Sequence, residues 1–189
     1  MPQRSNGRLR VAAILRAAAD VVAEKGYEAA TMAEIAERSS TKIGSLYRFF
    51  PNKESLAEMM IASARENLDM EFDRFDAAVR GLSIEALVDH LQSLLFQRLL
   101  TPALKKLLDA SKDGSIKCDE FRDAVLGRVT KTLMIYRPKL RKESAGDIAL
   151  VILLNMKAAA THQEFFESAP SILAEFRDMT RLYLQNRLG

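Results

Sequence analysis

The chain has 189 residues, 28 Lys and Arg against 25 Asp and Glu, one Cys, no Trp and 48% apolar residues. That suits a soluble protein of one or two domains and is too apolar for disorder. The most apolar stretch, Ile148 to Met156, runs nine residues without a charge, well short of the roughly 20 that cross a bilayer. The basic opening MPQRSNGRLR lacks the apolar core and cleavage site of a secretory signal, and the lone Cys118 excludes an internal disulfide. A cytoplasmic protein with no membrane partner is expected.

Charge is unevenly spread. Residues 1–50 carry eight Lys and Arg against five acids, whereas residues 51–189 carry 20 against 20, so the whole excess of +3 sits in the first quarter. No acid precedes Asp20, which makes the N-terminus a cationic arm of the kind that reaches a polyanion, or else a solvated tail.

The pattern predicts an all-α protein of about nine helices. The first runs from about Arg8 to Lys25 with Ile14, Leu15, Ala18, Val21 and Val22 inward, and Gly26 stops it. Thr31 to Glu34 has capping-box spacing, Thr31 accepting from the third backbone N–H and Glu34 reaching back. It opens a short second helix carrying Met32, Ile35 and Ala36. After Ser39, Ser40 and Thr41 a third helix spans about Lys42 to Phe50, closed by Pro51. Asn52 caps a long fourth helix reaching toward Arg80, about 40 Å at 1.5 Å per residue. Ser83 caps a fifth that Thr101 and Pro102 break, and a sixth covers about Ala103 to Ser111. The seventh spans about Asp119 to Tyr136, the eighth opens at Ser144 to Asp147, and Pro170 stands in the first turn of a ninth.

Two short helices joined by a polar turn, behind a basic first helix, make a helix-turn-helix whose second helix fits a major groove about 12 Å wide. Lys42, Ser45 and Arg48 offer donors, Thr41 caps the helix or meets a phosphate, and Gly44 has no side chain to hold the backbone off the bases. Tyr47 joins an apolar body to a hydroxyl, and Lys53 brings a point charge to the start of the fourth helix. The same spacing also occurs in bundles with no DNA role, with Tyr47, Phe49 and Phe50 in the core.

Gly26-Tyr27, Thr31, Ile35-Ala36 and the run from Gly44 to Leu56 resemble the N-terminal DNA-binding domain of TetR-type transcriptional regulators, across about residues 9–56. The resemblance implies a DNA-binding domain at residues 1–52 and a ligand-binding and dimerisation domain at 53–189. It implies phosphate contacts from Thr31, Tyr47 and Lys53, and base-facing positions at Lys42, Ile43, Gly44 and Ser45; Thr41 and Arg48 complete the DNA-binding set. The turn departs from the family, which often has Ala-Gly-Val-Ser where this chain has Ser39, Ser40, Thr41 and Lys42. A Ser in the Gly position must accept the turn's backbone geometry at some cost.

Eleven of the 14 residues from Ile148 to Thr161 are apolar, and they are not confined to one stripe. A helix apolar all round must be buried all round, by its own bundle and an identical partner or within one monomer. Val151, Leu154, Ala158 and His162 on the eighth helix, with Phe176, Met179 and Tyr183 on the ninth, are the expected homodimer interface. The resemblance also implies a ligand pocket in the bundle. Phe72, Phe75, Leu91, Leu95 and Phe96 are candidates for its wall, with Phe121, Met134, Met156 and Phe166, and they suit an apolar or aromatic small molecule. The same spacing fits plain core.

Neither a catalytic motif nor a cofactor fingerprint is present. His90 and His162, 72 residues apart, have no metal-site spacing. Lys117 lowers the pKa of a thiol at Cys118 while Asp119 and Glu120 oppose it, so redox sensing there is a secondary expectation. The reading is a homodimeric repressor of a near-palindromic double-stranded DNA operator, released by a small molecule and needing no cofactor. Its rivals are a helical carrier or enzyme, and a ligand-independent architectural DNA binder.

Overall fold

The computed structural model describes residues 2–95, 101–110, 119–161 and 170–188. Among them are nine α-helices and no strand: α1 Pro2–Lys25, α2 Met32–Arg38, α3 Ile43–Phe49, α4 Lys53–Ala78, α5 Ile84–Gln92, α6 Pro102–Ala110, α7 Asp119–Tyr136, α8 Lys142–Thr161 and α9 Pro170–Leu188. A 3-10 turn, Val79–Gly81, follows α4. None of these helices is long and apolar enough to cross a membrane. Phe96, Cys118, His162 and Phe166 lie outside the described residues.

Local chemistry sets most helix ends. Thr31 Oγ1 accepts from Glu34 N at 3.2 Å, Asn52 Oδ1 from Ser55 N at 2.8 Å and Ser83 Oγ from Ala86 N at 3.2 Å. Each satisfies one N–H that the first helical turn leaves open. Thr101 does the same for Leu104 N at 3.3 Å, with Pro102 opening α6. Gly26 leaves α1 at φ +88°, a left-handed conformation that suits glycine. Two starts differ from expectation: α1 begins at Pro2, six residues before Arg8, and α8 at Lys142, two before Ser144.

The chain forms two compact units. One comprises Met1–Glu66 with Leu100–Glu120, the other Asn67–Leu99 with Phe121–Gly189. In the first, α1 buries Ile14, Ala18, Val21 and Val22; α2 adds Met32, Ile35 and Ala36, and α3 adds Leu46. The first half of α4 contributes Leu56, Ala57 and Ile61, and α6 packs on α1 with Leu104 and Leu107 buried. Burying each such aliphatic side chain contributes roughly 1.5–3 kcal/mol. The second unit has its own core, in which Phe72, Leu87, Leu91, Leu133, Ile148, Ile152 and Leu184 are buried together.

A polar seam lies beside that second core. Arg128 on α7 pairs with Asp73 at 2.7 Å and Asp76 at 3.2 Å on α4, Lys131 pairs with Asp76 at 3.3 Å, and Thr132 Oγ1 donates to Asp76 at 2.6 Å. The Arg128 guanidinium beside Asp73 holds that carboxyl below the usual range.

Between α2 and α3 the chain turns through a Schellman arrangement: Thr41 N donates to Ala36 O at 2.8 Å and Ser40 N to Glu37 O at 2.9 Å. This closure puts its C′ residue in the left-handed region, and Ser40 sits there at φ +51°. The strain expected of a Ser in this position is therefore present. Ser40→Gly should raise stability by about 0.5–1 kcal/mol, while Ser40→Val should lower it. Chemical denaturation followed by circular dichroism reads both; an unchanged midpoint in the glycine variant refutes the strain.

Candidate nucleic-acid interface

The turn and α3 present a narrow face. Leu46 is fully buried and fastens α3 to the unit, while Ile43 is 44% and Tyr47 47% exposed one helical turn apart. Lys42, Gly44, Arg48 and Phe49 are exposed, whereas Phe50 is buried. A methyl built on Gly44 would meet no atom within 4 Å. Packing within the chain therefore gives no reason for glycine there, and an exposed glycine inside a helix is less favourable than Ala by about 1 kcal/mol.

Thr31, Thr41 and Ser45 stand at the edges of this face. Thr31 is exposed with its hydroxyl capping α2, and the half-buried Thr41 donates Oγ1 to Ser39 O at 3.3 Å. Ser45, also half-buried, closes the first turn of α3, its N–H donating to Lys42 O at 2.8 Å. Lys42 is the N-cap residue of α3 and is exposed.

The other cations of this unit divide sharply. Arg38 makes a two-pronged pair with Glu24, its Nη2 donating to Oε2 at 2.8 Å, and Lys25 pairs with Glu34 at 2.7 Å. The hydrogen bond from Arg38 holds the Glu24 carboxyl below its usual range. Glu34 thus spends its carboxylate on Lys25, not on the return bond of a capping box. Lys53 departs from the sequence reading in the same way: its Nζ donates to Tyr27 O and Glu28 O, both at 3.0 Å, and lies 4.5 Å from the centre of the Tyr27 ring. The expected phosphate charge is largely engaged in holding α4 to the end of α1. Lys106 of α6 mirrors it, donating to Ala23 O at 2.6 Å and Glu24 O at 3.2 Å. Among the described residues of the helix-turn-helix, Lys42 and Arg48 are the cations left without an ion-pair partner.

Residues 14–60 match the family described as bacterial regulatory proteins, tetR family. Over that stretch, which covers the turn and α3, the chain is similar to tetR-family proteins. The HTH-type transcriptional repressor KstR of Mycolicibacterium smegmatis is 38% identical over 68 residues, 36% of this chain and 32% of that protein. The uncharacterized HTH-type transcriptional regulator YdeS of Bacillus subtilis is 30% identical over 115 residues, 58% of this chain and 54% of that one. The chain thus spans a third to about half the length of these curated relatives. Solved structures carry the likeness through the fold. A TetR-family transcriptional regulator from Streptomyces coelicolor has a TM-score of 0.64 at 24% identity, covering 96% of this chain and 99% of its own. A transcriptional regulator from Aquifex aeolicus has 0.65 at 20%, covering 93% and 98%.

In the second unit the expected pocket residues have varied fates. Phe72, Phe75, Leu91, Leu95 and Met156 are buried in its core, and Phe121 near the start of α7 is buried too. Met134 borders a groove of about 980 Å³ between the outer faces of α7 and α8, and Phe75 one of about 450 Å³ beside His90, with which it stacks at 5.2 Å. On α8, Ile148, Ile152 and Met156 are buried, while Leu150, Val151, Leu154 and Ala158 are exposed. Val151 and Leu154 thus share the exposed side of α8, as expected.

Tyr27, named in the sequence only as part of the motif, carries a hydroxyl whose burial the sequence did not signal. Its hydroxyl is buried with no partner among the described residues, and burial, reinforced by Glu54, Glu28 and Glu58, pushes its pKa up to about 12 from 10.0. A folded pKa above the unfolded one gives stability that is whole below pH 10 and is lost as pH rises toward 12. Tyr27→Phe should flatten the alkaline decline and match or exceed wild-type stability at pH 7, since it removes an unpaired buried hydroxyl. Urea titrations of both proteins between pH 7 and 12 isolate the phenol from other groups titrating there; parallel declines would sink the assignment.

Proposed function

We propose that the chain is a homodimeric transcriptional regulator, a repressor that binds a near-palindromic operator through two copies of the α2–α3 unit and is released by a small molecule in the cytoplasm. The observation that carries this is the bare α3 face: on a tetR-family domain, Gly44 leaves the backbone uncovered between Ile43 and Tyr47 with open space outside it. The KstR relatives' description as repressors supports the direction of control. In this reading residues 1–52 read DNA and 53–189 bind effector and dimerise. Lys42, Ile43, Gly44 and Ser45 face base edges, Tyr47 and Arg48 reach the backbone with Thr31 and Thr41 at the rim, and Lys53 acts chiefly by fixing α4.

The homodimer is supported by an apolar face on two adjacent helices of the second unit. Leu150, Val151 and Leu154 on α8, with Ile172, Met179 and Leu182 on α9, are all exposed in the single chain. Contiguous apolar surface of this kind marks an association site. A two-fold axis there gives self-complementary burial and the paired half-sites, about 34–36 Å apart, that successive major grooves require. The effector is an apolar or aromatic small molecule, supported by the aromatic and Met side chains of that unit's interior, between which it would insert. Tenfold release needs about 1.4 kcal/mol of preference for the conformation that binds DNA poorly.

Selection of duplexes from a random library at about 150 mM salt tests the function. Enrichment of a two-fold symmetric motif is expected; retention without a motif indicates an architectural binder, and no retention by folded protein overturns DNA binding. Gly44→Ala separates fold from function. Its thermal midpoint should hold or rise, because Ala favours the helix by about 1 kcal/mol, yet operator affinity should fall by about tenfold or more as the methyl enters the groove. Loss of both properties, or of neither, removes Gly44 from the interface. Leu154→Arg should sediment as a monomer with weakened operator binding; an intact dimer in ultracentrifugation refutes the α8 interface.

A further inference from the structure

Ile43 is the first residue of α3 and is 44% exposed, whereas Leu46 three residues on is fully buried. At an exposed helical position a β-branched side chain brings the fold little: it is a poorer helix former than Ala or Lys, and its apolar surface remains in water. What surrounds it is specific. Gly44 next to it has no side chain, and Tyr47 one turn on is 47% exposed, so an aliphatic group and a ring flank a patch of bare backbone. Lys42 before it and Arg48 beyond are exposed cations, which draw a polyanion onto this same apolar step.

In the major groove each base pair shows hydrogen-bonding edges, and thymine alone among the four bases adds a methyl group. An aliphatic side chain pressed on the other edges strands their donors and acceptors without water, whereas against a methyl it buries two apolar surfaces together. We propose that Ile43 is a specificity residue that reads the 5-methyl group of a thymine, once in each half-site. This assignment rests on the reading of α3 as the base-facing helix.

The test takes the duplex recovered by library selection and replaces its thymines, one symmetric pair at a time, by deoxyuridine. That removes the methyl and leaves every hydrogen-bonding edge in place. One pair of positions should weaken wild-type binding by about fourfold per half-site, the worth of one buried methyl-sized group. Ile43→Ala should bind the thymine duplex about as weakly as wild type binds that uridine duplex, and lose nothing further on it. Ile43→Val should keep most of the discrimination. Ile43→Ala is also expected to keep wild-type helicity and thermal midpoint, so weakened binding is read from folded protein. Wild type indifferent to uridine at every position, or Ile43→Ala as sensitive as wild type, overturns the assignment while operator binding stands. Failure to enrich any symmetric duplex removes the functional reading, and this assignment with it.

Discussion

The carbonyls at the end of α1 are the point on which the N-terminal unit turns. A helix leaves its last four C=O groups without intrahelical partners, and the partial negative charge they carry attracts cations. Here Val22 O is taken by Gly26 N at 2.9 Å, Ala23 and Glu24 by Lys106, and Tyr27 and Glu28 just beyond by Lys53. The side chains of Glu24 and Lys25 tie the same turn to Arg38 and Glu34 of α2. Seven consecutive residues thus anchor α2, α4 and α6, and α3 inherits its position through the closed turn after α2. Hydrogen bonds from a charged donor are worth about 1.5–3 kcal/mol when sheltered, so the two ammonium groups outweigh the exposed ion pairs around them.

That arrangement divides the positive charge by purpose. The first 50 residues carry the whole excess of +3, and counting charges invites every cation there to be a DNA contact. Structure withdraws Lys25 and Arg38 to ion pairs and, just beyond, Lys53 to carbonyls, leaving Lys42 and Arg48 on the exposed face of the helix-turn-helix. Each phosphate neutralised adds nearly one unit to the salt dependence of binding. On the proposed reading, the α2–α3 face thus offers two free cations, Lys42 and Arg48, and the shape and apolar chemistry of α3 act beside them.

What was legible in the sequence was local. Thr31, Asn52 and Ser83 announced their caps, Gly26 its left-handed exit, and α7 ends at Tyr136 as expected, because capping and periodicity act within one or two turns. The likeness of residues 14–60 to tetR-family proteins was readable for the same reason, since the motif is a continuous run. What was not legible crosses the chain: Lys53 reaches back 26 residues and Lys106 reaches back 83, and nothing near either lysine signals a carbonyl as its partner. The grouping of α6 with α1 was hidden for the same reason. On α8, Val151, Leu154 and Ala158 were grouped by the sequence, and all three are exposed while Ile148, Ile152 and Met156 are buried.

Glycine usage around the turn points the same way as the exposed face. Where the backbone calls for glycine the chain has Ser40 at φ +51°, and where a helix would favour alanine it has Gly44 in open surroundings. Each choice runs against stability by about a kilocalorie per mole. Departures from local preference accumulate where a surface serves something other than the fold. Ile43 adds a third within five residues, an exposed β-branched side chain in the first turn of a helix. A segment shaped only by the demands of folding would have reversed all three, and contact of α3 with DNA, as proposed above, is one constraint that accounts for them together.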